Sequence, residues 1–439
     1  MDKKTEQGIQ RFFRNKKIKP KELIEGIKQS CSDNCPEGHV LVITDTVELN
    51  YNQLAGKLRV NDQDIGYISD NRSAGFLAHP ALAVEAQQGL PLGLSEIILF
   101  ERRMGQADKK ERGSQGLPIE EKESNKWILA AQGSKACLSN AGQLTFISDR
   151  ESDIYEFFCK VPDARTHVVI RSNYDRVLVG AKKRSEVLRT RPWEEGLRIK
   201  IRGKENRTAR EAEMQLRWTT VELAKPQSDA ARRGALKNYP QSVPLQLVEL
   251  CEKPETVPPG EEPVHWILWT THPVNTLAQA IQITKWYANR WWIEDLFRLI
   301  KTKGFQVESS QFGTGQALKK LVVSCLDQGW KILLMRQERN GKEQLPARMC
   351  FTQEECQALA FMQPPLEGPT DKQKNPHPEQ TLAWAVWLVA RLGGWKPADL
   401  TKRPPGVITL RRGLGNFYQR MEGWSLALVL LKHSSKFET

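Results

Sequence analysis

Long apolar runs are missing from this chain: none approaches the ~20 consecutive residues that a membrane-spanning helix needs. A secretory signal is missing as well, since Met1 is followed by Asp2, Lys3, Lys4 and Thr5 with no apolar segment behind them. The eight cysteines are scattered, and none belongs to the two-pair spacing of a zinc site. Cys31 and Cys35 stand close together but have no second ligand pair nearby. Structural thiols fit this distribution, and a disulfide framework does not. No internal repeat is present. The expectation is a cytoplasmic protein with no membrane partner.

The 439 residues exceed what one compact core accommodates, so two to four domains or subdomains are expected. Hydrophobic residues at 39% and charged residues at 27% give an ordinary globular balance, enough to bury sizeable cores. Lys and Arg number 65 against 52 Asp and Glu, a formal charge of +13. Such an excess favours a polyanionic partner, because each neutralised phosphate releases counterions. It also suits any basic soluble protein, so charge alone does not decide.

The first forty residues read as basic and helical, over 9–17 and then from Pro20 to 28. His39-Val-Leu-Val-Ile-Thr44 is a β-branched apolar run of the kind that forms a buried strand. Strand-like runs follow at 81–86 and 94–102, a polar loop at 107–124 and a helix at 126–136. Gln143-Leu-Thr-Phe-Ile-Ser148 is a further strand, followed by a helix running to residue 160 and a strand at 167–171. Strands, carboxylates and helices thus alternate in an α/β order. From 177 to 263 alternation replaces helical periodicity, and the turns are rich in Pro, Gly and Lys, which marks a β-rich insertion. Within it, 197–202 alternates apolar and basic residues, giving a strand face made of Arg198, Lys200 and Arg202, with Lys204 and Arg207 nearby. That face suits phosphate contacts, and equally an edge strand blunted by charge. The α/β pattern resumes with a strand at 264–271 and helices at 275–288 and 290–303. Beyond 318 the chain is helical with loops, strongly apolar at 382–392 and amphipathic at 415–432. The resulting division is a short basic helical segment (1–39), an α/β core in two parts (40–176 and 264–316), the insertion (177–263) and a helical C-terminal region (317–439).

Asp45 and Asp149 each follow an apolar strand. Carboxylates there open into the crevice at a sheet's carboxyl edge and could share divalent cations through hard oxygen ligands. The same position is also the ordinary one for a helix cap or a turn. Further along, Tyr287, Arg290, Glu294, Arg298 and Lys301 are spaced i, i+3, i+7, i+11 and i+14. On one helix they would share an arc of roughly 80°, a phenol, a carboxylate and three cations in one stripe. A stripe so polar faces either solvent or a polyanion.

Tyr287-x2-Arg290-x3-Glu294-x6-Lys301 resembles the Tyr-Arg-Glu-Lys signature of the DDE transposases of the insertion-sequence-four family, the Tn-five-transposase-like enzymes. Val42-Ile-Thr-Asp-Thr46 with Leu49-x-Tyr51 resembles that family's first-carboxylate segment, and Ile147-Ser-Asp-Arg-Glu-Ser-Asp-Ile154 its second. Arg11-Phe-Phe-Arg-Asn15, Trp266-Ile-Leu-x-Thr270, Pro273-Val, Leu277-Ala-Gln279, Ala390-Arg-Leu-Gly-Gly394 and Glu422-Gly-Trp424 fit in the same order, over nearly the whole chain.

The resemblance implies a ribonuclease-H-like catalytic core interrupted by the β-rich insertion. It makes Asp45, Asp149 and Glu294 the catalytic, metal-holding triad for two Mg²⁺ ions, or Mn²⁺ in their place. Tyr287, Arg290, Arg298 and Lys301 would then contact DNA, and Trp266 would stack on a flipped base; a buried core tryptophan is the other reading of that residue. The implied activity is cut-and-paste transposition through a DNA hairpin, by a homodimer bound to transposon ends and target in a prokaryotic cytoplasm, associated with the nucleoid. Only 44 residues precede Asp45, where the family carries a longer helical end-recognition domain. An N-terminally truncated transposase acting as a DNA-binding, dimerising inhibitor stands as one alternative, and a ribonuclease-H-like nuclease without strand transfer as another.

Overall fold

The computed structural model describes residues 3–56, 64–70, 72–102, 117–201, 203, 207–227, 234, 236–397 and 403–434. Eleven strands form one mixed sheet: β1 (His39–Thr44), β2 (Val47–Asn50), β3 (Gly66–Tyr67), β4 (Ala74–Glu85), β5 (Pro91–Phe100), β6 (Gln143–Ser148), β7 (Thr166–Arg171), β8 (Glu194–Ile201), β9 (Arg210–Ala224), β10 (Ser242–Glu252) and β11 (His265–Thr270). β1 lies between β4 and β6, and β7, β11, β10, β9 and β8 continue the sheet in that order. β3 and β5 pair with β4. β1, β6 and β7 are mutually parallel, and the remaining pairings are antiparallel.

Both faces of the sheet are covered, which is why β1 and β6 read as continuous apolar runs rather than alternating ones. Period-two geometry still sorts their side chains. Leu41, Ile43, Ile147, Val169 and Leu268 enter one core, while Val40, Val42, Phe146, Val168 and Trp269 enter the other.

The helices are α1 (Lys3–Arg14), α2 (Pro20–Asp33), α3 (Asn125–Cys137), α4 (Tyr155–Lys160), α5 (Arg184–Arg189), α6 (Leu277–Ala288), α7 (Trp291–Arg298), α8 (Gly315–Glu338), α9 (Gln353–Leu366), α10 (Leu382–Leu392) and α11 (Val407–Ser434). α3 and α4 supply Trp127, Ile128, Phe157 and Phe158 to the Val40 and Val42 face. α6 to α10 cover the opposite face. α8 is its central rod: Leu318, Val322, Leu326, Trp330 and Leu333 are all buried, and Thr314 caps its first turn by accepting from the Ala317 amide. α10 is buried on nearly every side, as its apolar sequence requires. Among the described residues no helix is long and apolar enough to cross a membrane.

Three features differ from the sequence expectation. The helix expected directly after Asp149 is instead a 3-10 turn (Arg150–Ser152) followed by the short α4. The Asp153 carboxylate accounts for the break: it accepts from Arg176 and from the Asn173 amide, holding the loop beyond β7 instead of a helical turn. The stripe from Tyr287 to Lys301 does not lie on one helix, because the helix boundary expected at 288–290 is present and falls within it. α6 ends at Ala288, α7 begins at Trp291, and a π-helical turn (Leu299–Lys303) closes the segment. Trp292 donates its indole N–H to the Gly89 carbonyl at 2.9 Å and Arg290 reaches Asp45, so two long-range anchors redirect the chain at Arg290. Finally, strands β8 to β10 of the 177–263 segment extend the central sheet through the β10–β11 pairing. Most of the loop expected at 107–124 lies outside the described residues.

Candidate active site

β1 and β2 pair with β4 in one register, Val40↔Glu85 and Val47↔Ala78, so together they form a single strand interrupted at Asp45 and Thr46. The Asp45 side chain secures the break by accepting from the Thr46 amide at 2.8 Å, and the Thr46 hydroxyl meets His79 Nδ1 at 2.9 Å. Asp149 follows β6 directly, and its carbonyl accepts from the Ser152 hydroxyl at 2.8 Å.

Strand register brings these two acids together. β1 and β6 align His39 with Gln143 and Ile43 with Ile147, a constant offset of 104, which sets Asp45 level with Asp149. Neighbouring strands lie roughly 4.8 Å apart. Alternation points both side chains to the face of Ile43 and Ile147, which is the face that α6 and α7 cover. Thr44 and Ser148, one residue earlier, confirm the match from the other face with a hydroxyl–hydroxyl bond of 3.1 Å.

The third acid arrives from α7. Arg290, at the junction of α6 and α7, donates from Nη1 to Asp45 Oδ2 at 2.9 Å and from Nη2 to Glu294 Oε1, one helical turn ahead. Burial pushes the Asp45 carboxyl up to about 6; Arg290 and the Thr46 amide oppose that, while Asp149 and Glu151 add to it. Burial of Arg290 would lower its basicity, yet Tyr287, Glu294, Asp149 and Asp45 together raise it. Asp149 Oδ1 is buried with no partner.

Tyr287 lies in the last turn of α6, only 3% exposed, with its hydroxyl buried and unpaired. Burial pushes its phenol up to about 12. Its ring meets Trp266 of β11 edge to face, with centroids 5.0 Å apart. Trp266 itself is partly buried against the core. Lys301 lies in the π-helical turn and binds the Glu48 carbonyl at 2.9 Å and Glu308 at 3.1 Å.

Other expected residues stand apart. Arg298 is exposed and turns to Asp295 at 2.8 Å. Arg198 pairs across the strands with Glu213 at 2.6 Å, and Lys200 stands opposite Glu211, so acidic residues of β9 offset the basic face of β8. β8 is four strands beyond β7, on the order of 20 Å from it at the usual spacing. Arg202 and Lys204 lie outside the described residues.

One cation escaped the sequence reading. β6 and β7 align Leu144 with Thr166, an offset of 22, which sets Arg171 level with Asp149 and on the same face. Arg171 donates to the His265 carbonyl at 3.3 Å, and its charge is felt at Tyr287. Its signal is positional only: it is the last residue of the next parallel strand.

Hard oxygen donors and the orphaned Asp149 Oδ1 suit a divalent cation. As the side chains stand, no three His, Cys, Asp or Glu among the described residues form a group that could hold one. Arg290 sits between Asp45 and Glu294, holding each by an ion pair. No protein-family model matches the chain.

Proposed function

We propose that the chain is a DDE transposase of the insertion-sequence-four type, cutting and rejoining DNA strands at Asp45, Asp149 and Glu294. One observation carries the reading. The three acids that the motifs single out stand at the ends of two adjacent parallel strands and in the first turn of α7, and Arg290 binds both Glu294 and Asp45, the latter 245 residues away in sequence. A ribonuclease-H-like core is the fold this reading uses, with β8 to β10 as the insertion.

Asp45, Asp149 and Glu294 would hold two Mg²⁺ ions. When bound, these supply an activated water or 3′ hydroxyl and stabilise the departing 3′ oxygen. The protein's own groups do the rest. Arg290, Arg171 and Lys301 offer cations to phosphates beside the cut, and a guanidinium fits a phosphate bidentately. Trp266 offers an aromatic face at the rim for a displaced base. Duplex DNA, transposon ends and target alike, is the substrate, a homodimer is the working unit, and the cytoplasm is its place.

The test uses the full chain, Mg²⁺ and a duplex carrying the element's inverted repeat. Asp45→Ala, Asp149→Ala and Glu294→Ala are each expected to cut nicking by roughly 10²–10³-fold or more, the scale of losing one electrostatic group from such a site. Duplex binding should persist. Near-normal nicking in any of the three overturns the assignment. Nicks without joined products favour a nuclease lacking strand transfer.

A further inference from the structure

The candidate site gathers its carboxylates around a guanidinium, which stands where a shared cation has to sit. Arg290 holds Asp45 at 2.9 Å and also binds Glu294, and its side chain is only 15% exposed. This position accounts for the lack of a three-acid metal group among the described residues. One guanidinium cannot neutralise three acids, and Asp149 is left with a buried oxygen that has no partner.

A divalent cation shared by Asp45 and Glu294 has to displace Arg290 from both. A largely buried guanidinium stripped of its acids is an uncompensated charge, which proteins avoid strongly. Arg290 therefore needs another anion before it can leave. On the strand-cleavage reading above, on which this inference rests, a phosphodiester is that anion, and a guanidinium matches it in a two-pronged geometry. Arg171, level with Asp149, bonds the His265 carbonyl, whereas Arg290 holds Asp45 and Glu294, so it is Arg290 that has to move.

We propose that Arg290 is an exchangeable counterion. In the DNA-free protein it ties Asp45 to Glu294, and it transfers to a backbone phosphate as divalent cations take its place. Metal and DNA then bind cooperatively, each raising the affinity for the other by the same factor.

The test measures Mn²⁺ binding to the full chain by calorimetry and by the paramagnetic resonance of free Mn²⁺, with and without a short blunt duplex. The wild type is expected to bind Mn²⁺ weakly alone and at least roughly tenfold more tightly with duplex, within the ~5–150-fold span of couplings between sites. Arg290→Gln should bind Mn²⁺ without DNA about as tightly as the DNA-bound wild type, and gain little from duplex. An Arg290→Gln protein no tighter than wild type, or one keeping the full gain from duplex, overturns the proposal. Arg290→Lys serves if the glutamine variant fails to fold. Its point charge reaches one acid at a time, so intermediate affinity supports the exchange, and wild-type behaviour with an undiminished gain overturns it. Asp149→Asn separates the two levels of inference. Lost Mn²⁺ binding in that variant keeps the cation site whatever Arg290 does, whereas unchanged binding removes the site and the exchange together.

Discussion

Trp266 and Tyr287 show how little separates a packing residue from a substrate contact. Their rings meet edge to face at 5.0 Å, Tyr287 is buried, and Trp266 keeps part of its surface open. On the proposed strand-cleavage reading, a rigid π face at the rim of the candidate site suits stacking on a base pushed out of the duplex. Trp266→Ala is thus expected to slow hairpin formation about tenfold or more while first nicking changes little, since base–aromatic stacking contributes ~1–3 kcal/mol. Resolving nicked and hairpin products on denaturing gels measures this; equal loss at both steps, or a collapsed melting curve, marks a core tryptophan instead. Arg171 supports a second expectation at this scale. It is level with Asp149 on the adjacent strand, so it offers a phosphate a charge beside the acids. Arg171→Ala should weaken duplex binding uniformly across sequences and lessen the salt slope by about 1. A slope identical to wild type excludes Arg171 from the phosphate path.

Among the elements, the short segment from α6 through the π-helical turn decides how the site is assembled. Lys301 belongs to the Tyr-Arg-Glu-Lys pattern, yet in the structure it ties the π-helical turn to β2 through the Glu48 carbonyl and Glu308, whose carboxylate also accepts from the Asn50 amide at 2.8 Å. Lys301→Ala should therefore lower stability by about 1 kcal/mol, the usual worth of a partly exposed charged bond, seen as a lower melting temperature. An unchanged melt with a reduced salt slope would return Lys301 to phosphate binding alone. The legibility of the sequence divides along the same line. Strands β1 and β6 were readable to the residue because their apolar runs are local signals, and Asp45 and Asp149 could be picked out at their ends. Glu294 and Arg290 were readable from motif spacing. What was hidden depends on partners far away in sequence. The break near Arg290 was legible as a helix boundary but its anchors, Asp45 and the Gly89 carbonyl, were not; the turn after Asp149 needs Arg176, and the place of Arg171 needs the β6–β7 register. The basic face at Arg198 and Lys200 was legible as a pattern, but the acidic residues of β9 that oppose it were not.

At the scale of the whole molecule, the sheet carries a second polar cluster toward the end away from the acids, and it predicts how the fold responds to pH. His39 opens β1, His167 belongs to β7, and His272 follows β11. Thr145 of β6 joins two of them, lying 2.7 Å from His39 Nε2 and 2.7 Å from His272 Nε2. His167 stacks on His272 at 4.0 Å, and Trp286 of α6 covers both His39 and His272, at 4.7 and 4.8 Å. Burial, reinforced by the neighbouring imidazoles, pushes His39 down to about 4 and His272 down to about 3. Burial lowers His167 as well, against the Thr271 and Asp163 contributions. The sign follows from which state binds the proton. An unfolded histidine takes one near its ordinary 6.5, but the folded cluster refuses it until about 4 or below, so the cluster's contribution is intact above 6.5 and is lost as pH falls from there toward 4. Asp45 acts oppositely: its folded value of about 6 lies above the ordinary 3.8, so the folded state gains stability as pH falls through that range. Comparing two proteins that share Asp45 removes its contribution. Melting temperatures taken from about pH 7 down to about pH 5 should fall for the wild type and fall less for His272→Gln, whose amide can still meet Thr145 without acquiring charge. Parallel curves for the two proteins would show that the cluster tolerates protonation, and with it that the ends of β1, β6, β7 and β11 are not held by neutral imidazoles.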